Sequence, residues 1–363
     1  MEALCKELEL RKDYLQGKEI QTIYFGGGTP SQLSKEDFEK IFTHLSLLLP
    51  PLNPLKGTWV SQAAQVPFRG FRGGDMEITL EANPDDITPE YLDSLKDLPF
   101  NRISIGIQSF MDEDLRFLNR RHNAQKAIQA VKICQDYGFR NISIDLMYGL
   151  PNQNMKNWED TLWQALSLNI QHISAYHLSY ENGTKLYEQL NQGKIVQASE
   201  DLSVEMFSKI IDILEINGFE HYEISNFAQS GFISRHNSSY WNGTYYLGIG
   251  AAAHSFNGKA RHLNIPDLDR YIQSINQGNL PFETEITGEK EAYNDFILTR
   301  MRTMKGLNLS ELKDLFGEKK ENYCMTQVQK HIQNQTIKIE DNYLKLTRKG
   351  IFISDGIMSD LFY

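Results

Sequence analysis

Five short apolar runs in the first half of the chain end in residues able to hold a polar ligand, and the first is the most informative. The strand-like segment before Gly26 stops abruptly at Gly26-Gly27-Gly28-Thr29-Pro30-Ser31. Consecutive glycines let a backbone turn sharply and come within contact distance of a bound molecule, which side chains would prevent. Such a loop after a strand suits a small molecule with a charged head group, such as an amino acid or a nucleotide. A tight turn without a ligand explains it almost as well. The other runs end at Glu81, Gln108, Asp145 and His177. Glu81 opens Glu81-Ala82-Asn83-Pro84-Asp85-Asp86, where its carboxylate either holds an ammonium group or belongs to a helix-capping acidic turn. A buried strand-end Asp145 needs a hydrogen-bonding partner, from a ligand hydroxyl or from a backbone turn. Arg120, in Leu118-Asn119-Arg120-Arg121-His122, is either a fixed positive charge for a ligand carboxylate or a solvated arginine at a helix end.

Gathering these groups on one rim requires a parallel sheet. β-Branched runs at 21–25, 77–81, 102–107, 141–147 and 172–178 alternate with helical patterns at 35–48, 89–95, 124–137, 158–168 and 201–217. This rhythm predicts an α/β fold of parallel strands with right-handed crossovers and helices outside. In parallel barrels the binding groups collect at the C-terminal strand ends. Five strands are too few for an eight-stranded barrel, and the helical pattern at 2–15 has no strand before it. The expectation is therefore a partial barrel lacking its first strand. The stretch 50–74 is rich in Pro, Gly and Arg and has no period. Connections in α/β units run to about 2–6 residues, so it reads as an insertion, a surface loop before a basic lid. From about residue 219, short aromatic- and Gly-rich segments predict strands and turns beside the barrel. From 285 a helical unit ends in a strand–turn pattern of winged-helix type. The predicted division is 1–218, 219–284 and 285–363.

Composition narrows the function classes. The 363 residues carry a net charge of -10, which argues against a nucleic-acid partner. Residues 281–363 hold 12 Lys/Arg against 13 Asp/Glu, so the winged-helix pattern lacks the electrostatics of DNA binding. No stretch approaches about 18 consecutive apolar residues, and the first residues resemble neither a signal nor a transit peptide, which predicts a cytoplasmic protein. Cys5, Cys134 and Cys324 lie far apart without metal-ligand spacing and read as structural thiols, Cys134 on the packed side of its helix. Gly248-Ile249-Gly250-Ala251-Ala252-Ala253 imitates a dinucleotide fingerprint but lies outside a βαβ unit, and that reading is rejected.

GGGTPS, EANPDD, RISIGIQSF, LNRRH and SIDLMYGLP, in this order and spacing, closely resemble the radical S-adenosylmethionine (SAM) proteins related to oxygen-independent coproporphyrinogen III oxidase, and within them the haem-chaperone branch. The resemblance spans residues 2–363 apart from the insertion. It implies a partial (β/α)6 barrel with a C-terminal accessory domain. It also implies that Gly26, Gly27, Gly28 and Thr29 line the methionine part of SAM, with Glu81, Gln108, Arg120 and Asp145 as further contacts, Asp145 at the ribose. Arg235-His236-Asn237-Ser238-Ser239-Tyr240-Trp241 matches the HNxxYW signature by which the haem-chaperone branch is recognised. By residue type alone, His236 is a histidine in an aromatic turn bonded to backbone. The resemblance makes it the axial ligand of haem iron, with Tyr240 and Trp241 offering flat faces to the porphyrin. His177 and His254 are weaker candidates.

One departure stands out. The family carries a CxxxCxxC loop whose thiolates hold a four-iron, four-sulfur (4Fe–4S) cluster, and this sequence contains no such loop. The expectation is a start placed too far downstream or a truncated gene, with radical chemistry impossible as written and poor expression or association. The implied function is a haem chaperone that delivers haem to respiratory proteins. The alternatives are a coproporphyrinogen III oxidase-like radical enzyme and an inactive remnant. Homodimerisation and peripheral membrane association stay open.

Overall fold

The computed structural model describes residues 1–48 and 76–363, so the predicted insertion at 50–74 lies outside the described residues. Strands β1 (Thr22–Phe25), β2 (Glu77–Ala82), β3 (Arg102–Gln108), β4 (Ile142–Tyr148) and β5 (His172–His177) form five parallel neighbours in chain order. An antiparallel pair, β6 (Phe219–Glu223) and β7 (Asn226–Gln229), extends the sheet beyond β5 to give the order β1-β2-β3-β4-β5-β7-β6. The sheet thus continues past residue 218, because Phe219, Phe227 and Ala228 are buried against it and complete its core.

The helices outside the sheet follow from local sequence. Helix α1 (Glu2–Leu10) precedes the first strand, and α2 (Lys35–Leu45), α3 (Pro89–Leu95), α4 (Asp112–Phe117), α5 (Ala124–Asp136) and α6 (Met155–Ser167) lie between strands. After β5 come α7 (Lys185–Asn191) and α8 (Glu200–Ile216). Ser34, Thr88, Asn123, Asn154 and Ser199 each accept the backbone N–H three residues on, satisfying a donor the helix start leaves free. Ile103, Ile105, Ile144 and Ile173 pack on the helix side against Ala130, Val131, Trp158 and Ile210, all with negligible exposure. Each such aliphatic burial contributes about 1.5–3 kcal/mol. Cys134 sits in this layer, on the packed side of α5 as predicted.

The opposite face of the same strands is polar. Glu77, Thr79 and Glu81 alternate with Ile78 and Leu80 along β2, and Arg102 and Ser104, Ser143 and Asp145, His172 and Ser174 do the same on β3, β4 and β5. A strand presents alternate residues to opposite faces, so these side chains line the inside of the partial barrel.

Helix α9 (Arg235–Trp241) returns to that inner face. A second sheet of β8 (His254–Phe256), β9 (Ala260–Asn264) and β10 (Phe282–Ile286) has α10 (Leu268–Asn276) between its last two strands. Helix α1 is fastened to this region by a fully buried carboxylate. Glu7 accepts from Gly250 N–H (2.8 Å), Asn264 Nδ2 (2.7 Å), Tyr271 Oη (2.5 Å) and Arg11 Nη1 (3.2 Å). The glycine-rich stretch at 248–250 therefore serves chain packing, which agrees with rejecting the dinucleotide reading. The C-terminal unit comprises α11 (Glu289–Met301), β11 (Leu307–Asn308), α12 (Leu309–Gln333, broken at Gly317), β12 (Ile337–Glu340) and β13 (Tyr343–Leu346), in sheet order β11-β13-β12. A helix pair followed by a hairpin is the expected winged-helix type. Among the described residues no helix is long and apolar enough to cross a membrane.

Candidate functional site

Two groups of predicted residues meet at opposite ends of β1. At its C-terminal end the glycine loop folds onto β2. A Cβ on Gly26 would lie 2.4 Å from the Tyr24 ring and 2.8 Å from the Glu81 carboxyl carbon, so only glycine fits there. Gly27 has φ +84, and nothing lies within 4 Å of a Cβ placed on Gly27 or Gly28, leaving their outer side open. Thr29 immediately precedes the short 3-10 turn Pro30–Gln32. The Glu81 carboxylate accepts from Tyr24 Oη (2.5 Å) and from Gly27 N–H (3.2 Å), so it ties loop to strand and caps no helix. Ser31 donates to Asp86 (2.7 Å), joining the glycine loop to the loop after β2.

Gln108 and Arg120 stand beside this rim. Gln108 adopts φ +72 at an irregularity in the β3–β4 register, with its amide against Gly106. Arg120 donates from Nη2 to Asn83 Oδ1 (2.7 Å) and to the Gly106 carbonyl (2.9 Å), and burial draws its pKa down. It is a half-buried brace between strand-end loops, not a solvated helix-end arginine. Asp145 lies deeper. Burial raises its pKa to about 6, against the opposing effect of hydrogen bonds from Ser174 and Ser104. The surface it keeps faces a cavity of about 80 Å³ shared with Tyr24, Glu81, Arg102, His172 and Asn237. The chamber is small and polar, walled by side chains of β1 to β5 and by Asn237 of the segment that returns to the inner face.

His177 does not join this cluster. As the residue after inward-facing Tyr176, it points to the helix side, where Nε2 meets Ser203 Oγ of α8 at 2.9 Å. His254 opens β8 in the other sheet, exposed.

At the N-terminal end of β1 sits the second group. Helix α9 has seven residues, none buried, and is held from outside itself. The buried Glu77 carboxylate accepts from the backbone N–H of Arg235 (3.1 Å) and His236 (2.9 Å) and from Ser234 Oγ (3.4 Å). Arg300 clamps the other end by donating to the carbonyls of Trp241 and Asn242. Half-buried His236 lies flat on Tyr24, with centroids 4.6 Å apart and planes 15° from parallel. Its Nδ1 meets Thr22 Oγ1 (2.9 Å) and its Nε2 meets Tyr240 Oη (3.1 Å). Burial lowers its pKa to about 4, so the imidazole is neutral at physiological pH. In the tautomer whose Nδ1–H donates to Thr22, Nε2 carries the lone pair, and among the described residues its hydrogen-bond partner is the Tyr240 hydroxyl. Tyr240 meets Tyr246 edge to face at 5.0 Å. Trp241 carries the Arg302 guanidinium over its ring at 5.0 Å, and its Nε1 is buried without a partner.

Sequence reading missed Tyr24, Glu77 and the polar inner face. The signal was present. Parallel strands covered on both faces read as near-continuous apolar runs, whereas these alternate polar and apolar, the mark of a polar lumen.

The residues fit the implied groups unequally. Open space over Gly27 and Gly28 beside a carboxylate suits the amino-acid end of SAM. A four-iron cluster finds no such match. Cys5, Cys134 and Cys324 are each buried on different elements, and no group of three or more His, Cys, Asp or Glu among the described residues could hold a metal.

Residues 6–163 match the Radical SAM superfamily and residues 289–353 the HemN C-terminal domain. The chain is 30% identical over 341 residues to the Heme chaperone HemW of Bacillus subtilis (strain 168), covering 93% of this chain and 84% of that protein. It is 31% identical over 363 residues to Radical S-adenosyl methionine domain-containing protein 1, mitochondrial, of Bos taurus, covering 95% and 76%. Among solved structures, coproporphyrinogen III oxidase (HemN) from Escherichia coli, a radical SAM enzyme, aligns with a TM-score of 0.79 at 20% identity over 99% of this chain and 82% of that one. At that identity the likeness is one of fold.

Proposed function

The chain belongs to the HemW haem-chaperone family of the radical SAM superfamily, and from that premise we propose that it binds haem through His236 and passes it to respiratory acceptor proteins. The observation that carries the reading is the state of His236. It is a neutral imidazole held through Nδ1 by Thr22, whose Nε2 meets the hydroxyl of the partly exposed Tyr240. Rotation of Tyr240 frees that nitrogen for an axial bond to haem iron, and the Tyr240 and Trp241 rings supply apolar faces for the porphyrin. A site that must release its cargo gains from this shallow arrangement.

In the same proposal Gly26, Gly27, Gly28 and Thr29 hold the methionine end of SAM, Glu81 takes its ammonium group, and Gln108, Arg120 and Asp145 complete the surround. When bound, SAM would supply a cationic sulfonium ligand to the rim. The chain's own part is to receive and orient it: before SAM arrives Glu81 is held at the rim by Tyr24 and Gly27, and Arg120 braces the loop after β2. The alternative of a radical enzyme has no cluster ligands among the described residues to favour it.

The test is a haem titration followed at the Soret band, with the wild type against His236→Ala. The expected result is saturable one-to-one binding in the wild type, with affinity at least tenfold weaker and a shifted Soret maximum in the variant. Equal binding by both proteins removes His236 as the ligand.

A further inference from the structure

Tyr24 touches both groups. Its ring covers the face of His236 at 4.6 Å, and its hydroxyl donates to Glu81 at 2.5 Å. The hydroxyl is a firm donor, because burial and the neighbouring Glu81 charge push its pKa far upward. There is no slack at the other end of the link. Glu81 also takes the Gly27 N–H, and the Gly26 backbone lies so close to Glu81 and Tyr24 that a single added methyl would collide with both. β1 itself spans the two sites, with Thr22 on the imidazole and the glycines starting after Phe25.

Resting on the haem reading above, we infer that Tyr24 is a positioning residue that couples the haem ligand His236 to occupancy of the glycine rim, so that loading the rim weakens haem binding. A cationic ligand seated on Gly27 and Gly28 draws the Glu81 carboxylate to its own ammonium group. The Tyr24 hydroxyl then loses its acceptor, and the ring is freed to turn away from the imidazole it holds. His236 keeps its Thr22 bond but loses the surface that fixes its plane. Energetic couplings between two sites of one protein lie at about 5- to 150-fold in affinity, and one hydrogen bond plus one ring contact place this at the lower end, about 5- to 20-fold. Linkage demands the reciprocal effect, in which haem weakens binding at the rim by the same factor.

The experiment is a Soret titration of the full chain with haem, with and without saturating SAM, for the wild type, Tyr24→Phe and Tyr24→Leu. SAM affinity is measured separately by equilibrium dialysis with and without haem. The expected result is that SAM weakens haem binding about 5- to 20-fold in the wild type and less than twofold in Tyr24→Phe, which keeps the ring but lacks the hydroxyl. Without SAM, Tyr24→Phe should already bind haem about 5- to 20-fold more weakly than the wild type, matching the SAM-loaded wild type, and Tyr24→Leu, which loses the ring as well, at least as weakly. An equal SAM effect in wild type and Tyr24→Phe overturns the assignment of Tyr24. So does haem affinity indifferent to SAM when dialysis shows SAM bound, or no SAM binding at all. A wild type that shows no saturable Soret change fails at the haem reading itself, a result distinct from these.

Discussion

Replacing Glu77 by alanine should detach the helix Arg235–Trp241, which carries the proposed haem ligand, while leaving the barrel folded. The Glu77 carboxylate receives two backbone N–H groups, at 2.9 and 3.1 Å, from the first residues of Arg235–Trp241. Hydrogen bonds to a charged partner contribute about 1.5–3 kcal/mol each, so about 3–6 kcal/mol of attachment is at stake. Little else compensates. The helix buries none of its seven residues, and isolated helices shorter than about 12 residues are marginal in water. The Ser234 cap to Asn237 N–H remains and contributes about 1 kcal/mol, as do the Arg300 contacts at the far end. If about 2 kcal/mol of the loss falls on the haem-competent geometry, affinity drops about 30-fold. The assay pairs a Soret titration with amide hydrogen exchange over residues 234–242. Exchange in that segment should accelerate at least about tenfold while strands β2–β5 keep their protection. Glu77→Gln, with one carbonyl acceptor and an amide facing two donors, should fall between. Haem affinity within twofold of wild type, with unchanged exchange over 234–242, would refute the reasoning.

Three further outcomes follow from the same geometry. Glu7→Ala should lower global stability by about 3–5 kcal/mol in chemical denaturation, because it strands Arg11 in the interior along with the donors of Gly250, Asn264 and Tyr271; an unchanged midpoint would contradict this. His236 should titrate with a midpoint near 4 in an NMR pH series, since burial penalises its charged form. Its folded pKa is depressed, so the neutral ligand persists well below pH 6.5 and haem binding weakens only as pH falls toward 4. A midpoint near 6.5 would show a solvated ring. Gly26→Ala should reduce SAM affinity at least about tenfold by dialysis, because the new methyl must displace Glu81 or Tyr24; unaltered affinity would mean that Glu81 takes no part in binding.

Much of this was legible in the sequence because the strands announce themselves twice, by β-branched runs and by the turn residues that end them. All five parallel strands fall where the pattern puts them, and the glycine loop and Glu81 meet at one end of the sheet because parallel order forces it. His177 misled because period two decides sides: one residue beyond Tyr176, it faces α8 and not the lumen. Arg235–Trp241 was not legible as a helix. It has no apolar stripe of its own and exists through Glu77, a carboxylate 158 positions earlier than Arg235. Alternation with Ile78 and Leu80 puts Glu77 on the polar face, but its role was hidden because its partners are backbone groups that only tertiary structure supplies.

The most direct test of a chaperone, as opposed to a haem-binding protein, is the rate at which the haem-loaded chain delivers haem to an apo-cytochrome b as that acceptor's concentration is raised. Direct hand-over from the half-buried His236 at the surface helix Arg235–Trp241 predicts a rate that climbs with acceptor concentration and exceeds loss to a non-interacting haem scavenger. A rate independent of acceptor concentration and equal to loss to the scavenger would contradict the account, leaving a protein that binds haem and merely lets it go.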